Sequence, residues 1–333
     1  MKAMTAQQSH NLPSIPIRHV EGAGCLLEAE GARLNALLAG ATRSYPGPVV
    51  RFGDRVSRRW LEKTGNPYLE EIETVAAIIG RPGAYFLNLS YEWSCTCAVG
   101  PTGDGAEGRL LRVLDWPFEG LGRNLVAARQ RGPAGPWINL TWPGFTGSIQ
   151  GLAPGRFAAA FNQAPLRQRS PSMVLDWGLD RIGVWKGQGL PPAHLLRQVF
   201  EQARDYQDAR RHLGEAPLAM PALFSLAGPE PGQGCIIERL ERDSFIHEGP
   251  RVVANHWLGP RPRARARGED SEGRAALMER EAPAAAHDLA WLKPPVLNPT
   301  TRLAMVAEPA SGRLLAQGFE ADGPATAATP IPA

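Results

Sequence analysis

Cys95-Thr-Cys-Ala-Val99, a glycine-rich turn and the return stretch Arg109-Leu-Leu-Arg-Val-Leu-Asp115 decide the fold. Both flanking stretches consist largely of residues that favour β structure, and the glycines between them suit a loose turn. The pattern is typical of a β-hairpin whose second strand returns Arg112 and Asp115 to the neighbourhood of Cys95. Further strands that follow closely along the chain favour antiparallel pairing.

A cysteine beside an arginine and a carboxylate indicates nucleophilic chemistry on amides. The two charged groups can fix the geometry of a thiolate and of an adjacent amine. The hairpin offers no histidine base, but a free α-amino group titrates near neutral pH and can accept the thiol proton. We therefore expect Cys95 to become an N-terminal nucleophile when the chain cuts itself after Ser94.

Apolar periodicity predicts the elements around this hairpin. Helical spacing favours helices at residues 26–38, 66–80 and 193–213, and another that begins with Ser271 as its N-cap. Strands are predicted through most of residues 95–163, at 235–239 and 251–255, and in a last hairpin within 303–319. Such blocks suit helices on the outer faces of antiparallel sheets. Residues 1–16 are polar and are expected to form a loosely attached leader.

Composition narrows the class of protein. The chain has 333 residues, 43% of them hydrophobic, and a net charge of +3, which predicts a globular protein that does not bind nucleic acid. The arginine run 261–267 lacks interleaved aromatic residues, so a solvated loop is favoured over a phosphate site. No signal-like or bilayer-length apolar segment is visible, which predicts a cytoplasmic protein without stable membrane insertion, its cysteines present as thiols.

Stretches along most of the chain share their order and residue types with one known family. They are Asn66–Val75, Asn88–Glu92, Cys95–Thr96, Arg112–Asp115, Gly155–Asn162, Val252–Trp257, Pro294–Asn298 and Ala310–Gly312. In these residues the chain resembles the acid ceramidase and N-acylethanolamine acid amidase family. That family is a branch of the cysteine N-terminal-nucleophile hydrolases, which also include bile-salt hydrolases and penicillin acyltransferases.

The resemblance implies an α+β fold, the four-layer αββα sandwich of antiparallel sheets with helices on its outer faces. Residues 1–94 would form the helical pro-segment, or small subunit, and residues 95–333 the catalytic subunit, together one domain. Residues 66–75 resemble the small-subunit helix, and residues 88–92 resemble the strand before the cleavage point. The two fragments are expected to stay associated after cleavage.

The resemblance also implies roles at the hairpin. Cys95 would be the nucleophile, Asp115 would hold its amine, and Arg112 would lie around the thiolate. Without the family pattern, Cys95 could be a small buried strand residue, and the charged pair an ordinary salt bridge. Cys97 projects to the same face as Cys95 and replaces the family's serine, which leaves it as a backup nucleophile. Residues three apart in a strand face opposite sides, so the strand must end or bend for both charged residues to reach the site.

Three residues outside the hairpin match family positions. Asn255 would donate its amide to the oxyanion of the tetrahedral intermediate, and Asn162 matches the end of a family strand. Gln163 replaces a glutamate of the ceramidase-like relatives, which puts their acidic working pH in doubt for this chain. Arg274 lies where relatives carry an arginine, and either binds substrate, fixes the site or is simply a solvated residue of a helix's first turn.

The function predicted from these residues is that of a self-processing amidase acting on a small-molecule N-acyl amide. Fatty-acyl ethanolamides, ceramide-like compounds and N-acyl amino acids all suit an apolar acyl pocket. The mechanism requires no metal and no organic cofactor. Two alternatives stay open at this stage, namely an acyltransferase that uses an amine instead of water, and a non-catalytic binding protein that keeps the fold.

Overall fold

The structure, a computed structural model, describes residues 12–44, 46–89, 93–259, 261 and 263–333. Most of the predicted leader and the Tyr91-Glu92 part of the predicted pre-cleavage strand lie outside these residues. Within them Ile15 is buried and its N–H donates to Thr329 Oγ1 at 3.0 Å, so the chain is already attached to the core at this residue.

The strands form two sheets and one short extra pair. In chain order the strands are β1 Ile17–His19, β2 Ser94–Pro101, β3 Gly108–Asp115, β4 Val126–Gly132, β5 Gly135–Thr141, β6 Gln150–Ala153, β7 Phe157–Gln163, β8 Leu166–Arg167, β9 Ala222–Ala227, β10 Gly234–Arg239, β11 Ser244–Glu248, β12 Arg251–Val253, β13 Ala264–Arg265, β14 Thr301–Glu308, β15 Arg313–Glu320, β16 Gly323–Pro324 and β17 Thr329–Ile331. The described part of the first sheet has the order β1-β4-β5-β6-β7-β9-β10-β11, and that of the second has the order β12-β2-β3-β14-β15-β16, with β17 on β15. All of these described pairings are antiparallel except β1 with β4.

The helices cover the outer faces and the N-terminal end. In chain order they are α1 Ala23–Ala29, α2 Gly31–Ser44, α3 Gly47–Lys63, α4 Leu69–Ile79, α5 Ala84–Leu89, α6 Met173–Lys186, α7 Pro192–Gln202, α8 Tyr206–Glu215 and α9 Ser271–Glu281. Helices α7 and α8 lie on the first sheet, and α9 lies on β2 and β12 of the second. None of the helices described is both long and apolar enough to cross a bilayer.

One apolar core fills the space between the sheets and confirms the predicted αββα sandwich. It includes Cys95, Cys97 and Leu114 from the second sheet and Phe161 and Phe224 from the first, all of them buried. The other face of the second sheet packs against α9 in a separate apolar cluster. Two sheets with one shared core and helices outside are the four layers expected from the sequence.

The predicted hairpin is β2 with β3, and its register sets the site. Cys95 pairs with Leu114 and Cys97 pairs with Arg112, so these residues share the face that looks into the core. Asp115 ends β3 opposite Ser94 and faces the other way. The neighbouring strand β14 is irregular where it pairs with the end of β3, between Thr301 and Leu303.

Four local predictions were wrong, and side-chain hydrogen bonds explain three of them. The helix predicted over 193–213 is split because Asp205 caps α8 by accepting from the Asp208 N–H at 2.8 Å. Asp270, not Ser271, caps α9 through the Gly273 N–H at 3.0 Å. Asn88 lies in α5 instead of a strand, and its Nδ2 donates to the Ala84 carbonyl at 2.8 Å. The helix predicted over 26–38 is interrupted after Ala29, where the chain leaves helical geometry for one residue.

Buried polar residues join the N-terminal helices to the sandwich. The Arg197 guanidinium bridges Glu71 at 2.6 Å and Glu201 at 2.7 Å, and it lies 4.3 Å over the Tyr68 ring. The Tyr68 hydroxyl donates to Glu201 Oε2 at 2.8 Å. Arg197 is nearly buried, and breaking a buried ion pair by removing one partner typically costs about 3 kcal/mol or more. These contacts hold α4 against α7.

His194 lies in the same region and gives a stability prediction. Its Nδ1 is 3.0 Å from Asn66 Nδ2, and burial lowers the pKa of His194 to about 3. The unfolded chain takes up the proton near pH 6.5, so folding stability is full above that pH and is lost as the pH falls from 6.5 towards 3. At pH 5 the protonation of His194 in the unfolded chain should lower the free energy of unfolding by about 2 kcal/mol.

Urea unfolding at pH 7.5 and pH 5 measures this effect. The measurement uses a Cys95→Ala background, in which the predicted self-cleavage would not occur and unfolding would stay unimolecular. His194→Gln should reduce the acid-dependent loss, whereas His19→Gln on the exposed end of β1 should leave it unchanged. Equal acid-dependent losses in all three chains would rule out His194 as the source.

Candidate active site

One guanidinium stands between the two cysteine thiols. Arg112 Nη2 donates to Cys95 Sγ at 3.0 Å, and Arg112 Nη1 donates to Cys97 Sγ at 3.3 Å. All three residues are buried. The predicted return of Arg112 to Cys95 therefore takes place in the folded chain, and the guanidinium can stabilise negative charge on either sulfur.

Neutral side chains from the opposite sheet fix this guanidinium. Arg112 Nη1 donates to Asn162 Oδ1 at 2.6 Å, and Arg112 Nε donates to Gln150 Oε1 at 3.0 Å. Asn162 Oδ1 also accepts from the Cys97 thiol at 3.1 Å, while its Nδ2 donates to the Ala254 carbonyl at 2.9 Å. The sequence analysis predicted Asn162 as a site residue but not Gln150. Gln150 is the one polar side chain of the short strand β6, a pattern that could have indicated a buried polar contact.

A second arginine lies behind Cys95, on the outer face of β2. Arg274 Nη1 donates to the Cys95 carbonyl at 2.8 Å and to Thr96 Oγ1 at 2.9 Å, and lies 3.4 Å from Asp115 Oδ2. Arg274 is buried, which excludes the solvated helix residue considered above. It fixes the backbone of β2 at the proposed cleavage point.

Asp115 lies on this outer face, whereas Arg112 lies on the face towards the core, so these two residues flank β2 and β3 from opposite sides. Asp115 Oδ1 accepts from Thr301 Oγ1 at 2.8 Å, and burial is the main cause that raises the pKa of this carboxyl group. In the continuous chain the Cys95 N–H donates to Asn255 Oδ1 at 2.7 Å. The predicted contact of Asp115 with the Cys95 amine is therefore a prediction for the chain after cleavage.

Asn255 connects Cys95 to the first sheet. Its Nδ2 donates to the Gln163 carbonyl at 2.8 Å, and its Oδ1 also accepts from Arg274 Nη2 at 3.3 Å. Ser271 Oγ, which sequence reasoning took for a helix cap, accepts instead from the Asn255 N–H at 2.9 Å. An amide nitrogen carries two hydrogens, and the Gln163 carbonyl accepts one of them, so the predicted oxyanion contact of Asn255 would use the other.

Asn255→Ala should lower turnover by about two orders of magnitude, the usual scale for the loss of one oxyanion donor. Steady-state kinetics on an N-acyl amide measures this effect. Asn139→Ala is the matched control, because Asn139 is also a buried strand amide but bonds the Gly147 carbonyl, at 3.1 Å, away from Cys95. Turnover within two-fold of wild type in Asn255→Ala would give Asn255 a structural role only.

The Cys95 thiol is buried and protonated in the continuous chain. Burial raises its pKa to about 12, against the opposing effect of the Arg112 charge. The peptide before it is tightly enclosed: Gly268 has φ 71, and a side chain at that position would collide with Ser94. The thiol thus needs an internal base or a change in its surroundings to become nucleophilic.

Two cavities are lined by aromatic residues that contact Trp93, two positions before Cys95. The centroid of the Trp93 ring lies 4.6 Å from that of Trp116 and 5.4 Å from that of Phe161. Trp116 lines an almost wholly apolar cavity with Leu37, Leu121 and Trp142. Phe161 lines a second cavity with Gln163 and several charged residues. Trp93 therefore contacts one lining residue of each cavity.

The arginine run 261–267 is not the solvated loop that was predicted. Arg261 Nη2 pairs with Glu238 at 2.9 Å, and its guanidinium lies 3.3 Å over the Phe245 ring. Arg267 Nε donates to the Ala164 carbonyl at 2.9 Å, and the Arg267 carbonyl accepts from Arg274. Ion pairing and backbone carbonyls give this loop a fixed place beside the site. Across the described residues, no group of three or more His, Cys, Asp or Glu side chains could hold a metal ion.

The stacked antiparallel sheets, the outer helices and a cysteine at the start of β2 define the fold class of the N-terminal-nucleophile hydrolases. In sequence the chain is 27% identical over 221 residues to the acid ceramidase of Heterocephalus glaber, covering 60% of this chain and 54% of that protein. It is 27% identical over 222 residues to the acid ceramidase of Bos taurus, with coverage of 60% and 54%. The chain thus spans about half the length of the curated relatives it matches.

Fold comparison gives the same class. The Caenorhabditis elegans N-acylethanolamine-hydrolyzing acid amidase ortholog superposes with a TM-score of 0.53 at 17% identity, covering 72% of this chain and 100% of that one. No family model matches the chain. The sequence similarity and the shared fold confirm the resemblance to the acid ceramidase and N-acylethanolamine acid amidase family.

Proposed function

We propose that this chain is a self-processing cysteine amidase that hydrolyses the linear amide bond of an N-acyl amide. The observation that carries the proposal is the position of Cys95. Its Sγ lies 3.0 Å from Arg112 Nη2, and its backbone nitrogen lies 2.7 Å from Asn255 Oδ1. A thiol and an α-nitrogen held by separate partners are what an N-terminal nucleophile needs once its peptide bond is cut.

The first reaction in this proposal is the self-cleavage. The Cys95 thiol attacks the Ser94 carbonyl carbon, the peptide C–N bond breaks, and the thiol proton goes to the departing nitrogen. Water then hydrolyses the resulting thioester, which leaves a Ser94 carboxylate, a free Cys95 thiol and a free α-amine. Arg274, bonded to the Cys95 carbonyl at 2.8 Å, keeps the new N-terminal residue in place during these steps.

The second reaction is turnover of the amide. The α-amine accepts the thiol proton, the sulfur attacks the substrate carbonyl, and the oxyanion takes a hydrogen bond from Asn255 Nδ2. Collapse of the intermediate breaks the C–N bond, and the proton passes to the leaving amine. Water then releases the carboxylic acid from the acyl-thioester and restores the thiol. Every step uses groups of this chain, substrate and water.

The apolar cavity supports a substrate with a hydrocarbon acyl part. Its lining comes from α2, α5 and the Trp116–Leu121 segment, with Trp142 closing one side. Burying each methylene of a chain there contributes about 0.8 kcal/mol. Because α2 and α5 precede Ser94, the pro-segment would remain part of the binding site after cleavage.

Product analysis tests the proposal. Purified protein is incubated with a long-chain N-acyl ethanolamide, and fatty acid and ethanolamine are quantified by mass spectrometry. Equal molar release of both products is expected, with Cys95→Ala as the inactive control. Formation of a new amide faster than acid, when a second amine is added, would indicate an acyltransferase. A chain that stays uncut and releases no acid would be the fold-retaining binding protein.

A further inference from the structure

The segment from Asn255 to Ser271 closes on itself at the residue proposed to bind the oxyanion. The Asn255 N–H donates to Ser271 Oγ at 2.9 Å, and the Asn255 carbonyl accepts from the Arg267 N–H at 3.3 Å. Both backbone groups of Asn255 are therefore bound by the far end of the segment that Asn255 begins. Asn255 and Ser271 are buried, and a hydrogen bond shielded from water is electrostatically stronger than an exposed one.

Ser271 Oγ has a second partner in the ring of His256. Ser271 Oγ and His256 Nδ1 lie 2.8 Å apart. Since Ser271 Oγ accepts the Asn255 N–H, its single hydrogen can point to Nδ1, which accepts a hydrogen bond when the ring is neutral. Burial is the main cause that lowers the pKa of His256, and a lowered pKa favours the neutral ring. The two side chains thus form a chain of hydrogen bonds that ends on the backbone of Asn255.

The backbone just before Ser271 has a left-handed conformation. Asp270 has a φ of 42°, and in the part of the chain that the structure describes it is the one non-glycine residue with positive φ. Its side chain accepts from the Gly273 N–H at 3.0 Å and so begins α9. Such a conformation costs a non-glycine residue free energy, and residues of this kind cluster at functional sites. In this chain it directly precedes the residue that binds Asn255.

We infer that Ser271 and His256 are positioning residues for amide hydrolysis, because they hold Asn255 where its side chain can bind the oxyanion. The inference rests on the proposed function and adds two residues to it. The bond from Asn255 to Ser271 fixes the backbone from which the side-chain amide extends. A displacement of that amide matters, because a misplacement of about 1 Å can lower a rate by about a hundred-fold.

The test compares Ser271→Ala, Asn255→Ala and the double variant. The substrate is a long-chain N-acyl ethanolamide, and kcat is calculated per cleaved chain, with the cleaved fraction taken from the intact mass. With Asn255 present, Ser271→Ala should lower kcat by about ten-fold, the scale of one hydrogen bond, and leave KM within about two-fold. The effect falls on kcat because an oxyanion contact forms only in the transition state. In the Asn255→Ala background the same change should alter kcat by less than about two-fold, since the amide that it positions is already missing.

Two further variants distinguish positioning from a general loss of structure. Ser271→Thr keeps a hydroxyl group and should keep kcat within about two-fold of wild type. His256→Ala leaves Ser271 in place but removes the acceptor of its hydroxyl, and should lower kcat by about three-fold, again only while Asn255 is present. His256 is partly exposed, so this variant should fold.

Thr326→Ala is the matched control. Thr326 is also buried, and its hydroxyl oxygen likewise accepts a backbone N–H, from Gly318 at 2.8 Å. Gly318 lies on β15, which β3 and β14 separate from β2. This variant should keep the wild-type kcat.

The outcomes separate this inference from the proposed function. A normal kcat in Ser271→Ala, while Asn255→Ala is impaired, would overturn the positioning role and leave the amidase standing. Equal losses from Ser271→Ala with and without the Asn255 amide would do the same, as would normal turnover in Asn255→Ala. If Ser271→Ala does not fold or cleave, His256→Ala decides by the same comparison. No hydrolysis by the wild-type protein would overturn the amidase and this inference together.

Discussion

Cys95→Ala is expected to remain one uncut chain of 333 residues without measurable amidase activity. The substitution removes the only atom that the proposed mechanism uses to attack both the Ser94 carbonyl and the substrate. Loss of a catalytic nucleophile typically lowers turnover by a factor of about a million. The side chain is buried and small, so the variant should fold, and denaturing electrophoresis should show a single band.

Cys97→Ser is the matched control for this variant. Cys97 lies on the same face of β2 and contacts the same guanidinium, at 3.3 Å, but it has no α-nitrogen that cleavage would free. A serine keeps a hydroxyl donor for Asn162, so processing and turnover should both persist. Processing in Cys95→Ala but not in Cys97→Ser would move the nucleophile two residues along the strand.

Arg112→Lys should lower turnover by two to three orders of magnitude and slow self-cleavage. The guanidinium contacts both thiols, Asn162 and Gln150 at once. The ammonium group of a lysine is a compact charge on a shorter side chain and cannot make all four contacts. The thiolate of mature Cys95 would lose its nearest positive charge. Alkylation of Cys95 followed as a function of pH should show a raised thiol pKa in the variant.

Arg109→Lys provides the comparison on the same strand. Arg109 is also a buried arginine, but it lies on the outer face of β3 and donates to the carbonyls of Ala282 and Ala285. This variant should lose stability without a change in the pH dependence of alkylation. If both variants change alkylation equally, the effect on Cys95 comes from general loss of packing and not from the Arg112 charge.

The hairpin was predictable because its information is local. Two stretches of β-favouring residues and a glycine-rich turn indicate the hairpin. Its register, in which Cys95 pairs with Leu114 and Cys97 with Arg112, comes from the structure. The two sheets with outer helices follow from the order of helical and strand patterns together with the family resemblance. The hairpin depends on residues that are close in sequence, and the layered arrangement depends on a pattern repeated along the chain.

The environment of Arg274 was not predictable in the same way. Its contacts with Cys95 and Asp115 join residues separated by 179 and 159 positions. Only the packing of α9 on β2 brings them together, and an arginine in the first turn of a helix is otherwise expected in solvent. The same limit applies to Gln150, which reaches Arg112 across the gap between the two sheets.

Single residues also decided where helices end. The helix predicted over 193–213 has uninterrupted apolar spacing, but Asp205 offers the backbone a cap and so starts a new helix. Helices α3 and α6 were missed because exposed apolar residues, such as Phe52 and Trp177, blur the amphipathic pattern. Such local effects change where individual helices begin and end, but they do not change the arrangement of the sheets and helices in four layers.

The central claim is that Cys95 becomes the N-terminal residue of the active protein. Intact mass and N-terminal sequencing of purified, active wild-type protein test it most directly. We expect two co-purifying fragments in place of the 36.0 kDa chain, the larger one beginning Cys-Thr-Cys-Ala. Active protein in which Ser94 is still joined to Cys95 would contradict it.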